Sequence, residues 1–564
     1  MSTPFDDLES DLPELAPVVP IRGAKARGKE APAALESSGP NRRIIDVQAG
    51  ELPSIVAQAE AALIAANAGI FQRGGQLVRI ATLERDTAQH GVRRTAGATV
   101  IIPVTRDYLP LALGRAADWQ KWSKREKAMV RIDPPAAVST AMIASAGEWK
   151  FSPLAGIVTA PTLRSDATLL DRPGYDANSH LFAVFDPAEF PAINRKPSRE
   201  DALEALALLD ELFGECIFTG GNRSAHASVA IAAAVTACVR HALPMAPAFA
   251  LSAHKQGSGK TTTAKAVAQL SMGRDPAVIA PTDDEAELKK ALLAILIAGD
   301  AVVLIDNVAK PVDSAALCAV LTSANYSDRI LGASQKVSVP TTATWLLTGN
   351  SIEFVGDLTT RVLLSVLDPE VEHPEARPFR RNLGEYVLQN RGALIAAAIT
   401  IPLAYASADS PKVNAPRSRF TEWDALVRNP LLWLGAADPL DTQAELRATD
   451  PVREALVTLL TAWRGTFGAD AATVANAVDA ATAPGMSARP QLLEALLGVA
   501  GERNGDVNAR RLGKYLTRSV RRIENGMRFE NAGTDPLTNR NRFVVTGVTG
   551  VSGVSTTQRA SNGI

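Results

Sequence analysis

The chain has 564 residues, 46% of them apolar and 21% charged, with a formal net charge of −1. That length calls for about two to four soluble globular domains rather than one small core. The near-neutral balance excludes a bulk electrostatic pull toward nucleic acid, so any DNA-binding surface must be a local patch or a channel lining. The three cysteines, Cys216, Cys238 and Cys318, form no CxxC pair. They argue against a disulfide framework or zinc site and fit a reducing cytoplasm.

Residues 1–42 are rich in Pro, Gly, Ala and charge. They lack the apolar core of a signal peptide and read as a disordered leader. Arg43–Val47 is strand-like, Pro53–Asn67 has a helical pattern, and Leu77–Arg79 and Val100–Pro103 look like strands. An amphipathic helix is expected near Tyr108 to Lys124, before a stretch punctuated by Pro134, Pro135, Pro153, Pro161 and Pro173. Residues 43–197 therefore read as an α+β domain, to which no role is assigned. Asp133, Arg164 and Asp166 in it read equally well as turn and surface residues.

From Ser198, followed by Glu200 and Asp201, a helix should run to Phe213. The Ala-rich run Ala227–Val239 is too short to span a bilayer and reads as a buried helix. Ala248–Ser252, Ala277–Ala280, Ala301–Ile305 and Thr344–Thr348 are short apolar runs alternating with helices, the pattern of a parallel sheet covered on both faces. The expectation is a multi-domain α/β protein with a central P-loop ATPase domain over 198–406. A mainly helical region follows over 417–546, and 547–564 reads as a disordered tail.

The strongest feature is the run from Phe249 to Thr261, in which an apolar strand feeds a loop and a helix leaves it. Gly257, Ser258 and Gly259 let backbone N–H groups turn inward around phosphate oxygens, at a helix N-terminus whose dipole favours anions. Lys260 would reach the β- and γ-phosphates of ATP, Thr261 would ligate Mg²⁺, and Thr262 closes the loop. His254 stands where the usual pattern has its first glycine, which leaves the geometry of the loop entrance open.

Val302–Ile305 ends in Asp306, an acid placed to hold the Mg²⁺ water shell. Asn307 follows where many such ATPases carry Glu. An amide can hydrogen-bond the attacking water but cannot take its proton, so Asp283, Asp284 and Glu285 are alternative carboxylates. Asn350, at the end of Thr344–Thr348, is placed to sense the γ-phosphate. Arg361, ahead of an apolar strand, is placed to reach ATP bound by a neighbouring subunit. Arg329–Val339 alternates around a Gly-containing turn and reads as a β-hairpin, with Lys336 suited to phosphate contact.

The order GSGKT, VVLIDN, hairpin, WLLTGN and DLTTRV resembles the superfamily-3 and AAA+ ATPase module of phage and prophage primase–helicase proteins. So do GIFQRGGQLVRI from Gly69, APTLRSDATLLDRPGYD from Ala160 and FTEWDALVRNPLLWLGAADP from Phe420. The resemblance spans roughly residues 68–545. It implies a homo-oligomeric ring acting on single-stranded or forked DNA, with Lys336 on the channel hairpin and Arg361 as the trans-acting finger. The chain shows no zinc-binding cysteine cluster and no polymerase-like acid constellation, which leaves priming activity open and makes a separate primase or other replication proteins candidate partners.

The C-terminal region is basic. Asn508 is placed to cap a helix carrying Arg510, Arg511, Lys514 and Arg518, and two strand-like runs follow, Met527–Glu530 and Arg542–Val545. Helix then β-wing suggests a winged-helix DNA-binding module, with a solvated basic face or a protein-docking module as the alternatives. Two functions are open: an ATP-dependent DNA helicase or translocase in replication of a mobile element, or a nucleotide-switched loader that remodels a protein partner.

Overall fold

The computed structural model describes residues 18–20, 42–329, 336–377, 379–484 and 489–548. The expected leader, apart from Val18–Pro20 and Arg42, and the tail beyond 548 lie outside these residues, as does the hairpin tip at 330–335. Val18–Pro20 pairs antiparallel with Ala81–Leu83. The chain divides into two compact units, one of Met1–Ile352 with Thr360–Gln443 and one of Glu353–Thr359 with Ala444–Ile564.

The first unit is organised by a seven-stranded sheet. Its strand order is Val362–Val366, Ala248–Ala253, Thr344–Asn350, Val302–Val308, Ala277–Ile279, Val92–Arg94, Thr87–Gln89. The first five are mutually parallel. Every residue of Ala248–Ala253 is buried, as expected for a strand covered on both faces. The helix Ala225–Ala242 is long and apolar enough for a membrane span, yet 89% of it is buried inside the molecule. Its alanines allow close approach to the helix Lys260–Met272 and the strand Val362–Val366, so it reads as a core helix. Ser198 caps Arg199–Leu212 in a reciprocal capping box with Asp201, as the sequence pattern requires.

The outer two strands of the sheet come from the N-terminal region. Thr87–Gln89 and Val92–Arg94 form a hairpin whose two-residue turn places His90 and Gly91 at φ of 50° and 74°, and Val92–Arg94 pairs antiparallel with Ala277–Ile279. Arg94 and Asp300 join this edge through a buried ion pair of 2.6 Å. Removing one member of such a pair strands the other charge, at a cost of about 3–5 kcal/mol. Residues 43–197 are thus built into the sheet as well as forming cores of their own.

The helix expected over Tyr108 to Lys124 is corrected. It ends at Ala116, and Ala117–Ser123 is a strand paired with Arg43–Asp46 on one side and Ala128–Arg131 on the other. The run Ala117, Asp118, Trp119, Gln120 alternates core and surface, and period 2 prevails because Ala117 and Trp119 fill the core.

In the second unit, helices Pro451–Phe467, Val474–Thr482, Pro490–Ala500 and Ala509–Ser519 pack with a three-stranded sheet of Ala472–Thr473, Asn541–Gly547 and Met527–Thr534. Trp463, Leu496, Leu512, Leu516, Phe529 and Phe543 form its core.

Candidate active site

Parallel strands deliver their C-terminal ends to one edge of the sheet, the usual place for ligands in this architecture. There the chain leaves Ala253 for a loop and enters the helix Lys260–Met272. Gly257 and Gly259 have φ of 73° and 90°, left-handed values that a side chain would strain. His254 has no positive φ, so the loop entrance tolerates a residue other than glycine. Ser258 Oγ donates to the Lys255 carbonyl at 2.9 Å, which closes a turn within the loop, and Lys255 Nζ donates to the Val371 carbonyl at 3.2 Å, which ties the loop to the segment after Val362–Val366.

The strand Thr344–Asn350 runs between Ala248–Ala253 and Val302–Val308, so Lys260, Asp306 and Asn350 meet at one edge. Lys260 Nζ donates to Asn350 Oδ1 at 2.8 Å and to the Lys255 carbonyl at 3.0 Å. Burial pushes the Lys260 ammonium below its ordinary value, and the nearby Asp306 carboxylate opposes that shift. Thr261 Oγ1 donates to Asp306 Oδ1 at 3.0 Å, and Thr348 Oγ1 donates to the same oxygen. Among the described residues, Oδ2 of Asp306 accepts no protein hydrogen bond.

The donor set suits Mg²⁺. A hydroxyl and a carboxylate are hard oxygen ligands, and Mg²⁺ commonly takes only one or two protein oxygens, the rest being water and phosphate. Among the described residues no group of three or more His, Cys, Asp or Glu is placed to hold a metal, and such a site does not need one.

Asn307 lies in a bulge where the register between Val302–Val308 and Thr344–Asn350 shifts. Its φ is 63°, a conformation asparagine tolerates better than most residues, and its N–H donates to Thr348 Oγ1 at 3.1 Å. Opposite the bulge, Gly349 approaches so closely that a Cβ there would sit 2.3 Å from the Val308 carbonyl oxygen. Gly349→Ala is therefore expected to cost about 1–3 kcal/mol by overpacking. Thermal denaturation checks this, and an unchanged midpoint would remove the close approach from the account.

Of the three acids left unranked by sequence, two serve the backbone. Asp284 caps the helix Glu285–Ala298, and Glu285 accepts from the Ala316 N–H at 2.8 Å. Asp283 forms an exposed ion pair with Lys310 and lines, with Asn307, a cleft of about 560 Å³ beside Val302–Val308.

A second cleft of about 560 Å³ opens beside the loop. Gly257 to Thr263 form one wall, with Thr262 exposed to it, and Cys216, Arg377, Phe379 and Arg381 line the other. Arg377 donates to the Glu215 carbonyl at 2.6 Å, and Arg381 lies 3.6 Å over the Tyr386 ring. Sequence reading missed these residues. Their signal was the cationic run Arg377-Pro378-Phe379-Arg380-Arg381, which carries no spacing rule of its own.

Arg361 is not gathered here. It precedes Val362, which pairs with Ala248 at the start of the parallel strands, so it lies at the sheet edge opposite the loop. Its side chain is buried, at 9% exposure.

The hairpin consists of Asn325–Arg329 and Lys336–Pro340. Val337 and Val339 point inward, whereas Lys336 pairs with Arg329 at the last described register, both exposed. In the second unit, Asn508 caps Ala509–Ser519 by accepting from the Arg511 N–H at 2.9 Å. Arg510, Lys514 and Arg518 recur every four residues and line a groove of about 690 Å³ with Thr517, Arg540 and Asn541. Arg511 falls outside that groove, its guanidinium donating to the Gly501 carbonyl at 3.4 Å.

No family model matches the chain, and no curated protein matches it. Solved structures do match. They include the apo A form of the NrS-1 C-terminal region, with a TM-score of 0.33 and 10% identity over 86% of this chain and 98% of that one. The NrS-1 C-terminal region bounded at 305–718 gives 0.36 and 10% over 87% and 100%. The type IV Cch active helicase of SCCmec gives 0.31 and 12% over 85% and 97%. These likenesses are coarse. The chain is a multi-domain α/β protein whose solved neighbours include a helicase.

Proposed function

We propose that the chain is an ATP-dependent DNA helicase or translocase. The observation that carries the ATPase reading is the meeting of Lys260, Thr261, Asp306 and Asn350 at the C-terminal edge of five parallel strands. In this reading the amides around Gly257–Gly259 and the Lys260 ammonium bind the ATP phosphates. Thr261 and Asp306 hold Mg²⁺, which when bound neutralises charge on the β- and γ-oxygens. Asn350 already contacts Lys260, so phosphate competing for that ammonium is registered on the sensing strand. The adjoining cleft with Phe379, Arg377 and Arg381 has room for the nucleoside.

The DNA reading is supported by the exposed Lys336 and Arg329 on the hairpin and by the basic groove of the second unit, which we read as a winged-helix module. Lys514→Glu is expected to weaken duplex binding about equally across sequences and to flatten its salt dependence, as for a phosphate contact. Titrations at several salt concentrations check this. Arg361 acts in trans only in a ring in which assembly uncovers its guanidinium.

Displacement of a labelled strand from a forked duplex tests the proposal. ATP-dependent displacement that Lys260→Ala abolishes is the expected result. ATP turnover without displacement or translocation would favour the second reading, a switch acting on a protein partner. Asn307, which cannot accept a proton, is the observation on that side.

A further inference from the structure

The N-terminal region carries a feature that the nucleotide site does not use. The strands Ala117–Ser123 and Ala128–Arg131 form a hairpin with register Ser123 to Ala128, leaving a turn of Lys124, Arg125, Glu126 and Lys127. Glu126 N–H donates to Ser123 Oγ at 3.2 Å and Lys127 adopts φ of 53°, so the turn has a defined conformation. Toward the core the hairpin presents Ala117 and Trp119. Its opposite face carries Trp122 directly across from Met129, and both are exposed, at 59% and 39%.

The turn that follows this ring is cationic. Lys124, Arg125 and Lys127 are all exposed, and among the described residues none forms an ion pair with a carboxylate; Lys121 is exposed too, but strand alternation sets it on the face of Trp119, away from Trp122. Arg131 differs, being paired with Asp118 at 2.9 Å. Glu126 is the single acid between Lys121 and Arg131. An exposed indole costs solvation, and three cations in the one turn that follows it repel one another. Both costs fall when a polyanion with planar rings covers the face. Trp122, Met129 and the exposed Ile44 of the neighbouring strand are too little for a stable protein interface, which needs about 800 Å² from each partner. An aromatic platform amid backbone-tracking cations is instead the chemistry of single-stranded nucleic-acid recognition.

We propose that the hairpin Ala117–Arg131 binds single-stranded nucleic acid, with Trp122 stacking on a base and Lys124, Arg125 and Lys127 of the turn holding the flanking phosphates. The site is separate from the loop at Lys260 and does not depend on ATP hydrolysis.

The test uses the full chain without nucleotide and fluorescein-labelled oligo(dT) or oligo(rU), read by anisotropy at about 50 and about 200 mM salt. Trp122→Ala is expected to weaken binding by about 5- to 150-fold, the range carried by stacking of one base, while Trp122→Phe retains most of the affinity. Lys124→Glu with Arg125→Glu should weaken binding and reduce the salt slope. A 5-bromouracil oligonucleotide should cross-link to the peptide holding Trp122, independently of any effect of substitution on folding. Similar affinity for both oligonucleotides marks a general strand-binding face, and a preference for one identifies the natural ligand. Binding within about twofold of wild type in Trp122→Ala and in the double variant, with the cross-link mapping elsewhere, overturns the proposal. Lys260→Ala should bind these oligonucleotides normally, so failure of the ATPase reading and failure of this one give different results.

Discussion

Lys260→Ala is expected to reduce ATP hydrolysis by at least about 10²–10³-fold, the loss typical of removing one preorganised donor from developing transition-state charge. The structure places the ammonium at the helix N-terminus and holds it with the Lys255 carbonyl and Asn350 Oδ1, at 3.0 and 2.8 Å. Both partners are neutral, so an incoming phosphate offers a stronger, charge-assisted partner. Burial lowers the Lys260 pKa and Asp306 raises it. Alanine removes that charge and leaves the glycine loop intact. Nucleotide binding should therefore weaken less than turnover, which fluorescent-nucleotide titration alongside phosphate release can separate. Wild-type turnover in the variant would remove Lys260 from the site.

Asp306→Asn is expected to lower hydrolysis by a similar factor with little loss of stability. The amide keeps the size of the carboxylate and retains an oxygen to accept from Thr261 and Thr348. What it loses is the negative charge that would hold Mg²⁺. The variant should consequently need more Mg²⁺ for half-maximal rate, while its thermal midpoint stays near that of wild type. A rate and Mg²⁺ dependence matching wild type would show that Asp306 is only a structural acceptor for the two hydroxyls.

Much of the central sheet could be read from sequence because fully buried parallel strands are written as unbroken apolar runs. Ala248–Ala253 and Val302–Ile305 are of this kind, and each ends where a polar residue reaches the sheet edge. The helix caps at Ser198 and Asn508 were equally legible, since their hydrogen bonds are local. Strand order was not, because pairing is long-range. The strands Thr87–Gln89 and Val92–Arg94 are short and half polar, and nothing in them announces that they extend the sheet past Ala277–Ile279. The His90-Gly91 turn was the available hint. At Ala117 a helical reading of the pattern lost to period 2, because two core positions there select the same face that a strand would present.

At the site, Lys260, Thr261, Asp306 and Asn350 could be named from sequence because each ends or begins an element with a recognisable pattern. Arg377 and Arg381 could not, since their place beside the loop depends on how the chain returns after Val362–Val366. The left-handed bulge at Asn307 was also hidden. It gives that position a backbone reason to be asparagine, beyond the question of which group activates water.

Steady-state phosphate release by the full chain with Mg·ATP, with and without single-stranded DNA and with Lys260→Ala as the blank, tests the central claim most directly. The account predicts turnover that rises with DNA and vanishes in the variant. Turnover that survives Lys260→Ala would contradict the site, and turnover indifferent to DNA would contradict the helicase reading while leaving the ATPase in place.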